Sequence, residues 1–194
     1  DGGVHFDSGS LVTILTDGGV YSNSCVTSQN QASVTITGAD VNCHKGFACE
    51  MNDPSIPLNP ESPYHPLTGE ELYPWLGETC GNGEYVSAKG ASGELYPGNY
   101  SEWDFKDPVH LNPGLYCVNG VIKMNAGGEV FGTGVTIYYT GTDMTLNGHL
   151  DTELAAPDSP GTPPENGAVE DVLVYVPMSV TADIKINGNS GNEI

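Results

Sequence analysis

Two lysines and two aspartates occupy equivalent positions of a repeated segment, and they are the residues best placed for chemistry. Lys123 and Lys185 each lie in the middle of a short apolar run, and Asp143 and Asp183 come just before the matching runs. A lysine can accept a proton and carboxylates bind Ca²⁺, so this set suggests cleavage of a polysaccharide by proton abstraction. The alternative interpretation is that these outward charges are simply solvated, as surface charges usually are.

Other chemistry has weaker support in the sequence. Glycoside hydrolysis needs two carboxylates at a fixed separation, for which Asp151 and Glu153 are candidates, but a chance pair is expected among 25 acidic residues. Asp151/Glu153 and Glu170/Asp171 are also candidate Ca²⁺ clusters, although their spacing matches no defined calcium motif. Motifs of serine hydrolases, zinc proteases and phosphate-binding loops are absent from the sequence. We therefore expect no catalytic residue, with Ca²⁺ as the one cofactor to consider.

The charge of the chain excludes two classes of partner. It has 25 Asp and Glu residues against five basic residues, all of them lysine, and a net charge of −20. Phosphate recognition depends on clustered cations, so nucleic acid is excluded, and anionic membrane surfaces are excluded for the same reason. The sequence also contains no long apolar stretch, so this segment is not expected to insert into a membrane.

Three segments of the second half of the chain repeat a pair of short strands. Tyr138 follows Tyr116 by 22 positions, and Asn147 follows Asn125 by the same interval. The third copy arrives 40 positions after Asn147, at Asn187, delayed by a Pro-rich insertion. A period near 22 with two strands per period predicts a β-solenoid, in which each turn stacks on the previous one.

Strand alternation assigns each position of the repeat to a face. The predicted inward columns are Leu115/Ile137/Val174, Cys117/Tyr139/Val176, Ile122/Met144/Ile184 and Met124/Leu146/Ile186. The predicted outward columns are Tyr116/Tyr138/Tyr175 and Lys123/Thr145/Lys185. Asn125, Asn147 and Asn187 are predicted to stack as a structural ladder at one corner, because Asn tolerates the turn conformation and its amides bond from turn to turn.

The predicted fold is all-β: a single-stranded right-handed parallel β-helix over residues 1–194. The handedness follows from the usual right-handed crossover between parallel strands. Pro-rich, irregular insertions are expected at about 50–94 and 156–171. The sequence stops in mid-repeat, so the helix is expected to be incomplete at one or both ends, and an exposed strand edge recruits other strands.

The first insertion contains aromatic residues and a cysteine. Tyr73 and Trp75 flank Pro74, and their rings either stack on a sugar or anchor the insertion. We expect a disulfide between Cys80 and Cys117 that holds the insertion against the sheet. One further disulfide is expected among Cys25, Cys43 and Cys49, with the pairing left open. Disulfides indicate an oxidising compartment.

Five segments resemble a known family: residues 113–120 (PGLYCVNG), 132–139 (GTGVTIYY), 144–148 (MTLNG), 154–157 (LAAP) and 184–191 (IKINGNSG). They are similar to the extracellular β-helical region of bacterial TadE/TadG-like, Flp pilus-assembly-like surface proteins. The resemblance implies a surface-exposed part without catalytic activity. These motifs specify a fold more than an activity.

From these observations we expect a non-catalytic structural or adhesive protein of the bacterial cell surface, secreted and disulfide-bonded. Its expected partners are other copies of itself, in a surface fibre or pilus-related assembly, and surface glycans. The alternative is a polysaccharide-binding or polysaccharide-cleaving, pectate-lyase-like β-helix.

Overall fold

The computed structural model describes residues 3–7, 11–15, 20–22, 25–29, 32–37, 41–43, 49–50, 58–59, 73–124, 129–147, 152–158, 167–177, 179–187 and 191–193. These residues contain short strands and an eight-residue helix, α1 (Pro74–Gly81). The strands before α1 are β1 (Gly3–Phe6), β2 (Leu11–Leu15), β3 (Val20–Ser22), β4 (Cys25–Ser28), β5 (Ser33–Thr37), β6 (Val41–Cys43), β7 (Cys49–Glu50) and β8 (Leu58–Asn59). The strands after α1 are β9 (Val86–Lys89), β10 (Gly93–Leu95), β11 (Gly98–Phe105), β12 (Val109–Leu111), β13 (Gly114–Val118), β14 (Ile122–Met124), β15 (Val130–Gly132), β16 (Val135–Tyr139), β17 (Asp143–Asn147), β18 (Thr152–Leu154), β19 (Val174–Tyr175), β20 (Asp183–Asn187) and β21 (Gly191–Glu193).

The strands form three sheets, and every described strand pair is parallel. The first sheet has 11 strands in the order β19-β16-β13-β11-β14-β17-β20-β1-β4-β7, with β9 paired to β11 beside this path. The second sheet has seven strands in the order β10-β12-β15-β18-β21-β2-β5. The third has three, β3-β6-β8.

The prediction of a single-stranded right-handed parallel β-helix is wrong. Most strands lie in one curled parallel sheet, with a second sheet and a helix, which is closer to an α/β-like parallel sheet than to a β-helix. The physical reason lies in β11, whose eight residues pair with β13 through Gly98–Tyr100 and with β14 through Trp103–Phe105. The two strand columns of the repeat are therefore joined in one sheet.

The order of strands also departs from the order of the sequence. β1 lies between β20 and β4, with Gly3–Phe6 in register with Asp183–Ile186, and β2 lies between β21 and β5. The edge that the mid-repeat stop was expected to leave open is thus occupied by strands from the first 15 residues. Parallel pairing of such distant segments is not visible in any local pattern.

The register confirms one strand of the repeat and corrects the other. Ile122 pairs with Met144 and Met144 with Ile184, as predicted, and the Met124/Leu146/Ile186 column is also present. In the other strand, Tyr116 pairs with Ile137 and Cys117 with Tyr138, one position away from the predicted alignment. Tyr116 is consequently buried, at 0% exposure, and its predicted outward orientation is wrong.

The main core lies between the sheets. Its largest fully buried side chains include Trp103, Phe105, Tyr116 and Tyr139. The ring of Trp103 contacts neighbouring aromatic rings, among them those of Phe105 and Tyr116, with ring centroids 5.3–6.0 Å apart. A second, smaller core consists of Leu76, Cys80, Leu115, Cys117 and Val169, and it lies where α1 packs on β13. Burial of this kind is the dominant favourable contribution to folding.

The range 50–94, predicted to be irregular, contains regular structure in its later part, namely α1 and strands β9 and the start of β10. Pro74 occupies the first turn of α1, where its missing N–H costs no hydrogen bond. In the second predicted insertion, the described residues 156–158 and 167–171 contain no strand or helix, as expected.

Candidate functional site

A row of mostly polar side chains runs across eight strands of the first sheet. At one register position the neighbours are Lys89, Asp104, Lys123, Thr145, Lys185, His5, Thr27 and Glu50, one residue from each of β9, β11, β14, β17, β20, β1, β4 and β7. We call these eight residues the polar row. Its members are exposed or half-buried, so the row lies on the outer face of the sheet.

The polar row faces outward because apolar and polar residues alternate along these strands. In β14, Ile122 and Met124 are fully buried on either side of exposed Lys123, and in β17, Met144 and Leu146 are buried on either side of Thr145. The apolar residues fix which face points to the core, and a slip of one residue would bury the lysine. The predicted outward column Lys123/Thr145/Lys185 is therefore confirmed.

The polar row contains most of the lysines of a chain that has only five basic residues. Three of the five lysines, Lys89, Lys123 and Lys185, lie in it. Lys106 lies just after β11, outside the row, and Lys45 lies outside the described residues. The row also contains two carboxylates, which offset two of these three lysines.

Carboxylates flank the row on one side. Glu102, Asp143 and Asp183 each precede the polar-row residue of their own strand by two positions, which places them on the same face. Asp143 and Asp183 are neighbours in register, and Glu102 accepts a hydrogen bond from Ser87 Oγ at 2.7 Å. We call Glu102, Asp143 and Asp183 the carboxylate row.

The structure brings together the four residues singled out for chemistry. Lys123 and Lys185 are separated by one strand and by Thr145, and Asp143 and Asp183 lie side by side two positions earlier on adjacent strands. These side chains are exposed or half-buried rather than enclosed, so they are better suited to contacting a ligand than to excluding water from a reaction. Of the glycosidase candidates, Glu153 is exposed on β18, and Asp151 lies outside the described residues.

One end of the polar row has a small hydrogen-bonded group. The ring nitrogen Nδ1 of His5 lies 2.8 Å from Thr27 Oγ1, and Nε2 lies 3.9 Å from Cys25 Sγ. Sequence reasoning missed His5, Thr27, Lys89 and Asp104, because their position in the row depends on pairings between distant strands. Among the described residues, no group of three or more His, Cys, Asp or Glu side chains is arranged to bind a metal ion.

The first two strands of the second sheet carry a hydrogen-bonded glutamate and histidine. Glu94 and His110 are in register on β10 and β12, and His110 Nδ1 lies 3.0 Å from Glu94 Oε1 and 3.0 Å from Oε2. Asn112 Nδ2 donates to Glu94 Oε2 at 2.7 Å. The hydrogen bonds from His110 and Asn112 lower the pKa of Glu94 below its usual 4.5. Glu94 and His110 are 16 positions apart in the sequence, which is also the interval between Pro97-Gly98 and its repeat at Pro113-Gly114.

Two buried tyrosines, Tyr116 and Tyr139, have raised pKa values and so stay neutral. Tyr116 donates a hydrogen bond to the carbonyl oxygens of Leu95 and Asn112, and burial raises its pKa strongly. Burial, together with the nearby carboxylate of Asp143, raises the pKa of Tyr139 to about 12. Both rings therefore act as core residues rather than as acids at neutral pH.

The disulfide predicted between Cys80 and Cys117 is present, with the two Cα atoms 5.5 Å apart, and it joins α1 to β13 of the first sheet. Cys117 faces α1 rather than the main core, which corrects its predicted inward orientation. Tyr138 stacks on Tyr175, with centroids 6.1 Å apart, and Tyr73 packs edge-on against Tyr175 at 5.2 Å.

The remaining predicted site residues are only partly placed. Tyr73 is half-buried in its contact with Tyr175, whereas Trp75 is 40% exposed on α1. Asn147 and Asn187 are paired in register on β17 and β20, which places two members of the predicted Asn ladder on adjacent strands. Asn125 lies outside the described residues, as do the side chains of Cys43 and Cys49.

No protein-family model, curated protein or solved structure matches this chain. The similarity to TadE/TadG-like proteins thus stays a prediction from the quoted motifs. In the part of the chain that the structure describes, no helix is long and apolar enough to cross a membrane.

Proposed function

We propose that this chain is a non-catalytic structural or adhesive protein of the bacterial cell surface whose copies associate end to end. The observation that supports this proposal is that the strands at both ends of the polar row, β9 and β7, are unpaired edges. Within the described residues, β9 and β7 each pair on one side only, and so do β10 and β5 at the two ends of the second sheet. β19 is a third such edge of the first sheet.

Unpaired edges present free backbone N–H and C=O groups, which recruit another strand. All described strand pairs are parallel, so β9 of one copy can follow β7 of the next without reversing direction. Such a contact joins two different surfaces, and contacts of this type build open chains of subunits rather than closed dimers.

The two ends carry opposite charges at the same register position. Lys89 begins the polar row on β9, and Glu50 ends it on β7. If one copy follows another, these two side chains become neighbours about 5 Å apart, the spacing of adjacent strands. Opposite charges on adjacent strands stabilise their pairing, whereas like charges there destabilise it.

The β9 and β10 end also exposes apolar area. Val86 on edge strand β9 is 53% exposed, and Tyr96, next to β10, is 65% exposed. A second copy would cover these side chains. An extracellular location is consistent with the disulfide between Cys80 and Cys117, which persists in oxidising surroundings.

Charge reversal tests this association directly. We expect Glu50→Lys alone and Lys89→Glu alone each to weaken association, because like charges then meet, and the double variant to restore it. Each exposed charge pair is worth about 0.2–1 kcal/mol, so the change is up to about five-fold per contact. Sedimentation velocity over a concentration series measures the change, with Lys106→Glu, outside the row, as the control. Identical monomeric sedimentation of all four variants and the parent would refute end-to-end association.

A further inference from the structure

We propose that Cys25 is a nucleophilic thiol that exchanges with disulfides and so attaches a thiol-bearing molecule to this chain, with His5 accepting the thiol proton. Cys25 carries a thiol, whereas Cys80 and Cys117 are joined in a disulfide. This inference is independent of end-to-end association, because Cys25 and His5 lie on the outer face of the first sheet and not on its edge strands.

A nucleophile, a base and an orienting group lie together on two adjacent strands. Cys25 Sγ lies 3.9 Å from His5 Nε2, and the other ring nitrogen of His5, Nδ1, lies 2.8 Å from Thr27 Oγ1. When Nδ1–H donates to the threonine oxygen, Nε2 is unprotonated and can accept the proton of the thiol. A cysteine beside an imidazole that a third group orients is the arrangement of an activated nucleophile.

The strand register brings these groups together. β1 and β4 pair with Gly3 opposite Cys25 and with His5 opposite Thr27. Residues two positions apart on a strand share a face, so all four lie on the same side of the sheet. Val26, between Cys25 and Thr27, is 0% exposed, which directs these four residues outward.

Gly3 allows the sulfur to approach the imidazole. A Cβ atom at this position would overlap Cys25 Sγ and would lie 2.7 Å from the Cys25 carbonyl oxygen, closer than Cβ atoms in proteins approach. The sulfur therefore occupies the space that a side chain at position 3 would fill, on the strand that carries His5. A larger residue there would displace it.

The charged groups around this site come from the neighbouring strands and oppose one another. Lys185 lies beside His5, and Asp183 lies two strands from the thiol at the same register position. Glu50 lies beside Thr27 on the other side. The ammonium group attracts a negatively charged sulfur, whereas the two carboxylates repel it. The proton acceptor His5 is therefore the group that activates the thiol.

The exchange balances in atoms and electrons. The thiol proton passes to His5 Nε2, and the thiolate attacks one sulfur of a disulfide R–S–S–R. A bond forms between Cys25 Sγ and that sulfur, the S–S bond of the substrate breaks, and its electron pair leaves with the second sulfur. His5 returns the proton to this thiolate, so the products are a mixed disulfide and R–SH. The substrate is itself the oxidant, and disulfides persist in oxidising compartments.

The test is the rate at which the native full chain reacts with dithiodipyridine, followed by the absorbance of the released thiopyridone. A neutral probe is chosen because a net charge of −20 would repel an anionic one. Peptide mass spectrometry identifies the modified cysteine. Because Cys25 and His5 are half-buried rather than enclosed, the probe can reach them. We expect Cys25 to react at least about ten-fold faster near neutral pH in the folded chain than in the urea-unfolded chain.

Variants of the base and of the orienting group separate activation from simple exposure. His5→Gln removes the base and should slow the reaction about ten-fold or more near neutral pH, with a changed pH profile. Thr27→Val removes the positioning hydroxyl and should slow it several-fold, whereas Thr27→Ser keeps the hydroxyl and should restore the rate. His110→Gln removes an imidazole from the second sheet and is the matched control, with a change of less than about two-fold.

The proposal is overturned if Cys25 is not modified in the folded chain, or if it reacts no faster there than in the unfolded chain. It is also overturned if His110→Gln slows the reaction as much as His5→Gln, or if His5→Gln leaves the pH profile unchanged. Circular dichroism spectra that match the parent show that a slow variant is folded.

Discussion

Cys80 on α1 is bonded to Cys117 on β13, and this link holds the helix on the outer face of the first sheet. The two cysteines are 37 positions apart. Around them, Leu76, Leu115 and Val169 form a small core separate from the main one. The helix therefore depends on a covalent link and on a few apolar contacts.

Removing the disulfide should lower stability markedly. In the loop-entropy account, closing a loop of this length stabilises the folded state by about 3–4 kcal/mol. We expect Cys80→Ser/Cys117→Ser to lower the free energy of unfolding by that amount in urea titrations. The parent protein under reducing conditions is the control and should behave like the variant. An unchanged unfolding midpoint in both would contradict the role assigned to this link.

Two adjacent residues of α1 should respond differently to truncation. Leu76 is fully buried against β13, so Leu76→Ala should lower the free energy of unfolding by about 2–5 kcal/mol. Trp75 is 40% exposed, so Trp75→Ala should cost much less, although it removes a larger side chain. Chemical denaturation measures both. The packing of α1 described above would be incorrect if Trp75→Ala were the more damaging change.

Thr136 bonds the last part of the second insertion, and the residue that follows it, to the sheet. Its hydroxyl donates to the carbonyl oxygens of Val172 at 2.8 Å and Val169 at 3.2 Å, and it accepts from the Val169 N–H at 2.8 Å. Thr136 is 0% exposed, so Thr136→Val leaves buried backbone groups unsatisfied and should cost about 1–3 kcal/mol.

Thr133→Val is the matched control, because Thr133 is exposed between β15 and β16. Hydrogen exchange should show faster exchange of the Val169 amide in Thr136→Val and no change in the control. Equal effects of the two substitutions would show that the hydroxyl of Thr136 has no special role.

Glu94 should contribute to the acid sensitivity of the protein. Its pKa is lowered by hydrogen bonds from His110 and Asn112, so its ionised form is favoured in the folded state. The contribution to stability is complete above the usual pKa of 4.5 and is lost as the pH falls through the lowered value. We expect Glu94→Gln to reduce the loss of stability below pH 4.5. Glu153→Gln, exposed on the same sheet, is the control, and an equal effect of both would contradict this assignment.

The alternation of apolar and polar residues along a strand correctly predicted which of its side chains face the core. The inward and outward positions of β14, β17 and β20 follow from alternating apolar and polar residues around Lys123, Thr145 and Lys185. The disulfide between Cys80 and Cys117 was predicted correctly because Cys80 lies within reach of residues 95–118, where the strand pattern resumes, although Cys117 was expected to face inward.

The errors arose where distant segments decide the outcome. The tyrosine column was misaligned by one position, because Tyr116 is drawn inward, where its hydroxyl bonds the carbonyls of Leu95 and Asn112. The pairing of β1 with β20, which completes the polar row, joins residues about 180 positions apart and has no local signal. α1 is short and follows a Pro-rich stretch, so it has too few turns to show a helical pattern.

End-to-end association is the central claim, and electron microscopy with fibre diffraction of the concentrated full chain tests it most directly. The account predicts unbranched fibres with a spacing of about 4.8 Å along the axis, because the strand ladder continues from copy to copy. Discrete particles the size of one chain at every concentration would contradict it.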